Sequence, residues 1–399
     1  MLDKIQQREW RGDQETSSLL GQLLAALEKR ETWPETSPSQ ITPPHSPIVP
    51  PQPTDKPVPQ YDPRTLTTPG GAVSIDARFY IERPVDALVL ERVRTDRALL
   101  TLRGARQSGK TSLMLRIHAA GASGQLPLRS AFVDVQAMPL ESLQSLEAAW
   151  IHLAEEIADQ LGLPPFQWAG KGNHERGFKR FLQDSVFAED DTPLLICLDE
   201  ADRLFSTPLR QEFFASLRAC WNRGAIDPVW KKVRWLLGTS SDPVFFIEDL
   251  TQSPFNVGTK VKLDNFHTAQ VSEFARRLGL SEPVHDIMTY VGGRPYLVHL
   301  LLYHLARNPE NRADLFDGVS AGHGVFRDHL HRYLIQFQQD APLTAAMGDL
   351  LAGRQVTIIK FADRLEAAGL ATCDENNRYH PACRLYEEFF GNALARNKP

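Results

Sequence analysis

Gly104-Ala105-Arg106-Gln107-Ser108-Gly109-Lys110-Thr111, preceded by the apolar run Ala98 to Leu102 and followed by a helical pattern from Ser112, decides how this chain is read. The segment satisfies G-x-x-x-x-G-K-[ST] and stands after an expected strand and before an expected helix, the setting in which that spacing has a mechanism. Glycines let the main chain curl so that successive N–H groups converge, and the helix N-terminus brings the positive end of its dipole to the same point. Lys110 adds a fixed charge, and Thr111 a hydroxyl for a magnesium ion that bridges two phosphates. Ser112 completes the residues expected around the phosphates. The plainer account is a glycine turn with an incidental lysine; ordinary residue frequencies give such a match in about one chain in a hundred of this length.

A phosphate loop of this kind needs an acidic partner at the end of a buried strand. Leu194-Leu-Ile-Cys-Leu198-Asp199-Glu200 provides five apolar residues leading into two carboxylates. Asp199 is expected to hold magnesium through water, and Glu200 to act as general base on the attacking water. Either carboxylate alone would also serve as a helix cap. A further strand, Trp235-Leu-Leu237, runs into Gly238-Thr239-Ser240-Ser241-Asp242, where Thr239 or Ser241 is the candidate sensor of the terminal phosphate. The competing account is an ordinary Ser/Thr turn.

From about residue 70 to residue 265, short apolar runs alternate with longer amphipathic stretches, as in helices crossing between parallel strands. The expected strands are Ala98 to Leu102, Ala131 to Val135, Leu194 to Leu198, Val233 to Leu237 and Lys260 to Leu263. They make an α/β fold with a doubly wound, five-stranded parallel sheet. Helical periodicity dominates residues 266–339, a helical lid, with Pro295 opening the helix Tyr296 to Leu305. Residues 340–399 read as helix (Leu343 to Leu351), helix (Ile358 to Ala368) and hairpin (Ala371 to Cys373 with Arg378 to His380), the order of a winged helix. That unit has 7 Lys plus Arg against 8 Asp plus Glu, so it lacks the positive bias of a strong DNA-binding wing and reads first as a packing module.

Residues 34–69 hold 12 of the 28 prolines and read as an extended linker. Before it, within residues 1–33, Leu20, Leu23, Leu24 and Leu27 place an apolar stripe on one face of a helix that cannot cover it alone. The stripe is expected to dock on the protein's own body or on a partner protein. A formal net charge of -5, from 44 basic and 49 acidic residues, predicts no general attraction to nucleic acid or anionic membrane. The four cysteines, Cys197, Cys220, Cys373 and Cys383, show no Cys-x-x-Cys spacing, which points to a reducing, cytoplasmic setting. No secretory leader is expected from the first residues, which lack an apolar core, and no run of about 18 apolar residues occurs in the sequence.

With these pieces in place, the chain resembles bacterial AAA-like ATPases of the STAND group, relatives of the ORC-like initiator ATPases within the AAA+ superfamily. The resemblance covers about Gly71 to Leu305 and extends to the winged helix after it. Phe79-Tyr80-Ile-Glu-Arg83-Pro84, the phosphate loop, Leu198-Asp199-Glu200-Ala-Asp202, Ser253-Pro-Phe-Asn256-Val-Gly258 and Gly292-Gly293-Arg294-Pro295-Tyr296 carry it. It implies that Tyr80, Arg83 and Pro84 lie near the adenine and that Pro295, in the Gly293-x-Pro295 turn, touches base or ribose. The group often carries glutamine where Arg294 stands, which leaves Arg294 either a phosphate contact in cis or a surface ion pair. Arg223, near the end of a helix, is a candidate finger into a neighbouring subunit or a solvated helix-end arginine. STAND proteins usually carry a long repeat array that senses the trigger; none follows here, so sensing is expected from another protein, the N-terminal helix or the winged helix. The expectation is a slow ATPase that binds ATP, ADP and magnesium and couples nucleotide state to domain rearrangement and homo-oligomers. Two alternatives stand beside it: a DNA-associated AAA+ regulator using the winged helix and arginines such as Arg327, Arg332 and Arg364, and a non-enzymatic adaptor stabilised by nucleotide.

Overall fold

The computed structural model describes residues 68–77, 79–165, 168, 174–240, 254–280, 284–308 and 324–396. The expected N-terminal helix, the linker up to residue 67, and Ser241 lie outside the described residues. Five parallel strands form one sheet: β1 (Leu99–Arg103), β2 (Arg129–Asp134), β3 (Leu194–Asp199), β4 (Val233–Thr239) and β5 (Thr259–Lys262), in the spatial order β2-β3-β4-β1-β5. Each expected strand is found, shifted by at most two residues at either end.

Both faces of the sheet are covered, which explains why its central strands read as unbroken apolar runs and not as alternation. Leu195, Cys197, Leu236, Leu100 and Leu102 share one core with Leu113, Met114 and Ile117 of α2 (Lys110–Ala122) and Val89 of α1 (Pro84–Arg92). Leu194, Ile196, Leu198, Trp235 and Leu237 pack on the opposite side. There they meet Trp150 of α3 (Leu146–Gln160), Phe178 of α4 (His174–Phe181), Phe214 of α5 (Arg210–Arg223) and Trp230 of the short α6 (Pro228–Lys231). Neighbouring residues of one strand thus enter different cores, as the two-residue period of a strand requires. Edge strand β5 exposes Lys260 and Lys262, charges that discourage further strand addition.

The register sets the site. Leu102 lies beside Gly238, Arg103 beside Thr239, and Leu198 beside Leu237. The C-terminal ends of β1, β3 and β4 are therefore level, and the residues that follow them converge at one edge, where open α/β sheets bind ligands.

Beyond the sheet follow α7 (Thr268–Arg277), α8 (Val284–Val291), α9 (Pro295–Arg307), α10 (Arg327–Gln339), α11 (Ala341–Leu351) and α12 (Ile359–Ala368). An antiparallel hairpin, β6 (Ala371–Cys373) with β7 (Tyr379–Pro381), precedes a last helix, α13 (Arg384–Arg396). The helix, helix, hairpin order expected after residue 340 is present, with α13 added. Asp340 ends α10 and caps α11, its Oδ1 accepting the Leu343 N–H at 3.0 Å. Gly369, at φ +77°, ends α12 in the left-handed conformation that glycine adopts without strain. Helices on both sides of residue 340 share one apolar core, with Leu301 of α9, Leu330 and Phe337 of α10, Met347 of α11, Leu365 of α12 and Tyr386 and Phe390 of α13. Phe79 and Ile81, from the segment ahead of α1, join it. No described helix is long and apolar enough to cross a membrane.

Candidate functional site

The loop after β1 owes its curl to two positive-φ residues and one residue without a side chain. Gly109 has φ +93° and Gln107 φ +63°, the latter a left-handed conformation in which residues with a Cβ are strained. Gly104 is required for space, because a Cβ there would lie 2.7 Å from Ser108 Oγ and 2.9 Å from Leu263 Cβ. Lys110 opens α2 and is buried; its ammonium donates to the carbonyls of Gly104 at 2.9 Å and Ala105 at 3.3 Å, and to Ser240 Oγ at 2.9 Å. Thr111 Oγ1 donates to Asp199 Oδ2 at 2.6 Å, which brings the start of α2 and the end of β3 into one cleft.

β4 separates β3 from β1, so Asp199 must reach across it. Gly238 makes that reach feasible: a Cβ at this position would stand 2.6 Å from Asp199 Oδ1 and 2.8 Å from Met114 Sδ. The same carboxylate accepts the Glu200 N–H at 3.0 Å. Glu200 turns the chain with φ +49° and lines the cleft.

Burial governs the electrostatics. It pushes the Lys110 pKa down, against the pull of Glu200, Asp199 and Asp202. Burial likewise pushes Asp199 up, outweighing the Thr111 hydroxyl, the Glu200 amide and Lys110, and pushes Glu200 up against Lys110. Each charge is thus held at a desolvation cost that an anion beside Lys110 and a cation beside the carboxylates would offset. Ser108 Oγ and Thr239 Oγ1 are buried without a hydrogen-bond partner among the described residues, two polar atoms that a phosphate or its water shell would satisfy. The residues present therefore fit a polyphosphate at Gly104 to Thr111 with a hard divalent cation at Thr111 and Asp199.

A cavity of about 310 Å³, within the ~300–1,000 Å³ typical of small-molecule sites, adjoins the loop. Gln107 to Ser112 and Glu200 line it on the polar side, and Phe79, Ile81, Phe266, Phe274, Pro295 and Tyr296 supply apolar walls. Tyr80 and Arg83 also line it. Tyr80 donates its hydroxyl proton to Asp86 Oδ2 at 2.7 Å, and the Arg116 guanidinium lies 3.8 Å over its ring. Arg83 is buried and donates from Nη1 to the Ser108 carbonyl at 2.8 Å, so it braces the phosphate loop while its guanidinium lies 5.7 Å from the Phe266 ring.

Other expected site residues lie elsewhere. Pro84 starts α1 and is not among the lining residues of the cavity. Arg294 does not line this cavity and forms no ion pair with a described residue. It is buried behind the phosphate loop, donating to the Arg106 carbonyl at 3.3 Å and lying 5.9 Å from the Tyr386 ring, because α13 and the turn at Gly369 close over it. Arg223, in the last turn of α5, is paired with Glu175 at 2.6 Å. Thr239, by contrast, stays with the site: it is fully buried at the end of β4, next to the Ser240 that Lys110 contacts.

Two contributors escaped the sequence reading. Ser240, between the two candidate sensors, meets Lys110, and its N–H reaches Asp202 Oδ2 at 3.3 Å. The second is α12, docked on the back of the phosphate loop: the Arg106 N–H donates to the Ala367 carbonyl at 2.8 Å, and Arg103 pairs with Asp363 at 2.9 Å. The run of small polar residues after β4 was a signal for the first; the sequence held none for the second.

Comparison with known proteins bears on the family and the fold. A family model described as an AAA-like domain matches residues 68–392. A Walker-type ATPase of Pyrococcus abyssi shares the fold, with a TM-score of 0.53 at 16% identity over 78% of this chain and 96% of that one. The ORC2 protein of Aeropyrum pernix, in its ADPNP–ADP complexes, gives a TM-score of 0.47 at 17% identity over 81% of this chain and 97% of that one. An uncharacterized WD repeat-containing protein of Synechocystis sp. is 23% identical over 246 residues, 57% of this chain and 20% of that protein. The chain thus spans about a fifth of that relative's length.

Proposed function

The chain belongs to the AAA-like domain family, and on that premise we propose that it is a slow ATPase working as a STAND-type switch. The observation that carries the reading is the 2.6 Å bond from Thr111 Oγ1 to Asp199 Oδ2 beside the buried Lys110 ammonium. In this reading, Lys110 and the amides of Gln107 to Thr111 grip the phosphates, and Thr111 and Asp199 hold magnesium. A magnesium ion held by Thr111 and Asp199 would supply charge neutralisation at the terminal phosphates. Glu200, its pKa raised by burial, orients the attacking water and accepts its proton. Thr239 and Ser240 border the terminal phosphate.

The switching part of the reading rests on α12. It meets the phosphate loop at Arg106 and the neighbouring strand ends at Arg103 of β1 and Lys262 of β5, the last paired with Glu366 at 3.4 Å. A loop that moves with its ligand therefore loads or releases the helices after residue 340, the proposed winged-helix unit, shifting a two-state population. The proposed consequences are nucleotide-dependent homo-oligomers and, through the helix of residues 1–33, a protein partner. The test is phosphate release together with light scattering in ATP, in ADP and without nucleotide. Slow turnover and a mass that changes between ATP and ADP are expected. One unvarying mass would remove the switch, and absent turnover with tightly bound ADP would favour the nucleotide-stabilised adaptor.

A further inference from the structure

The cavity wall contains a polar group that the phosphate chemistry does not use. His299, on α9, lines the 310 Å³ cavity with Phe79, Phe274 and Tyr296. Its ring centroid lies 5.0 Å from that of Phe79 and 5.5 Å from that of Phe274, and these two phenylalanines stand nearly parallel at 6.0 Å. Buried among aromatic rings, His299 Nε2 has no hydrogen-bond partner among the described residues. Native proteins rarely leave such an atom unpaired, and it is explained when a ligand supplies the partner.

Two facts narrow what that partner is. Burial drives the imidazole pKa down to about 4, so the ring is neutral near pH 7 and offers no charge to a phosphate. The surrounding walls are apolar and aromatic, which suits the flat face of a heterocycle and favours a larger ring system over a smaller one. A neutral imidazole nitrogen is suited to one donor or acceptor on the edge of a base held by its faces.

We propose that His299 is the base-reading residue of the nucleotide site, a ring nitrogen of its neutral imidazole hydrogen-bonding the edge of a purine seated against Phe79, Phe274 and Tyr296. The inference rests on the reading of Gly104 to Thr111 as the phosphate site. It separates affinity into two parts: the main-chain amides and Lys110 grip any polyphosphate without regard to base, and His299 makes the base-dependent part. A site that hydrogen-bonds a ligand group discriminates strongly against analogues that lack it.

The test is the affinity of ATP, CTP and inorganic tripolyphosphate, each with magnesium, for the full-length protein and for the His299→Leu, His299→Gln and Lys110→Ala variants. The wild type is expected to bind ATP more tightly than CTP and tripolyphosphate. His299→Leu should weaken ATP about tenfold, the effect of one lost hydrogen bond of ~1.4 kcal/mol, and leave tripolyphosphate unchanged; His299→Gln, which keeps a polar edge, should recover part of the loss. Equal loss of ATP and tripolyphosphate in His299→Leu, or no loss of ATP, overturns the base-reading role while leaving the phosphate site intact. If the wild type binds neither ATP nor tripolyphosphate, or Lys110→Ala binds both as the wild type does, the phosphate reading falls and the inference with it.

Discussion

Asp199 shows how a single residue trades stability for chemistry. It is 2% exposed, and burial raises its pKa despite three favourable neighbours. A carboxyl whose folded pKa lies above the unfolded value stabilises the fold while protonated, and that stability is lost as pH rises through the folded pKa. At neutral pH the ionised group therefore weighs on the ligand-free protein. Asp199→Asn should raise its stability by about 0.5–2 kcal/mol and abolish the extra stabilisation that magnesium gives with ATP, both readable from thermal unfolding with and without the ligands. Gly238→Ala should act in the opposite direction, because its methyl would crowd Asp199 Oδ1 and Met114 Sδ; a loss of about 1–3 kcal/mol is expected from denaturant unfolding. The meeting of Lys110, Thr111 and Asp199 in one cleft was legible in the sequence because each stands in a local pattern of spacing. Gly238 was not, since its importance comes from the register of β4 between β1 and β3, and the small polar run after β4 marked the neighbourhood of Ser240 without singling it out.

Among the elements, the strands and the helix after the phosphate loop followed from apolar runs and glycine placement, which are local signals. The last helix, α13, was missed although Leu385, Tyr386, Phe389 and Phe390 lie on one helical face and enter the core. Its role is to close the far side of the helical region on α10. His329 of α10 is 3% exposed and shares a 2.8 Å hydrogen bond between its Nε2 and the Tyr386 hydroxyl. Burial, assisted by Arg294 and Arg332, drives the His329 pKa down to about 3. The unfolded chain takes up this proton near pH 6.5, so the folded state loses stability as pH falls below that value toward 3. The loss should reach about 2 kcal/mol at pH 5. His329→Gln should flatten that dependence, which thermal unfolding across pH 5 to 7 would reveal.

At the scale of the whole molecule, the helices after residue 340 touch the segment Arg103 to Arg106 at the start of the phosphate loop. Arg103, at the end of β1, joins Asp363 of α12, which is 2% exposed, while the neighbouring Lys262–Glu366 pair has a lysine 65% exposed. Burial separates their worth: Arg103→Ala should destabilise by about 2 kcal/mol, and Lys262→Ala by about 0.5 kcal/mol or less. A double-mutant cycle with Asp363→Asn would isolate the coupling. This docking could not be read from the sequence, because its main contacts, the Arg106 amide on Ala367 and the Arg103–Asp363 pair, join residues some 260 positions apart. All of it serves the claim that the loop Gly104 to Thr111 binds a magnesium nucleotide between Lys110 and Asp199. The direct measurement is a calorimetric titration of ATP into the wild type and Lys110→Ala, each with magnesium and with a chelator. Stoichiometric binding that weakens on chelation and falls at least about a hundredfold in Lys110→Ala, as for a lost charge-assisted contact of roughly 3 kcal/mol, is the expected result; equal affinity in all four titrations would contradict it.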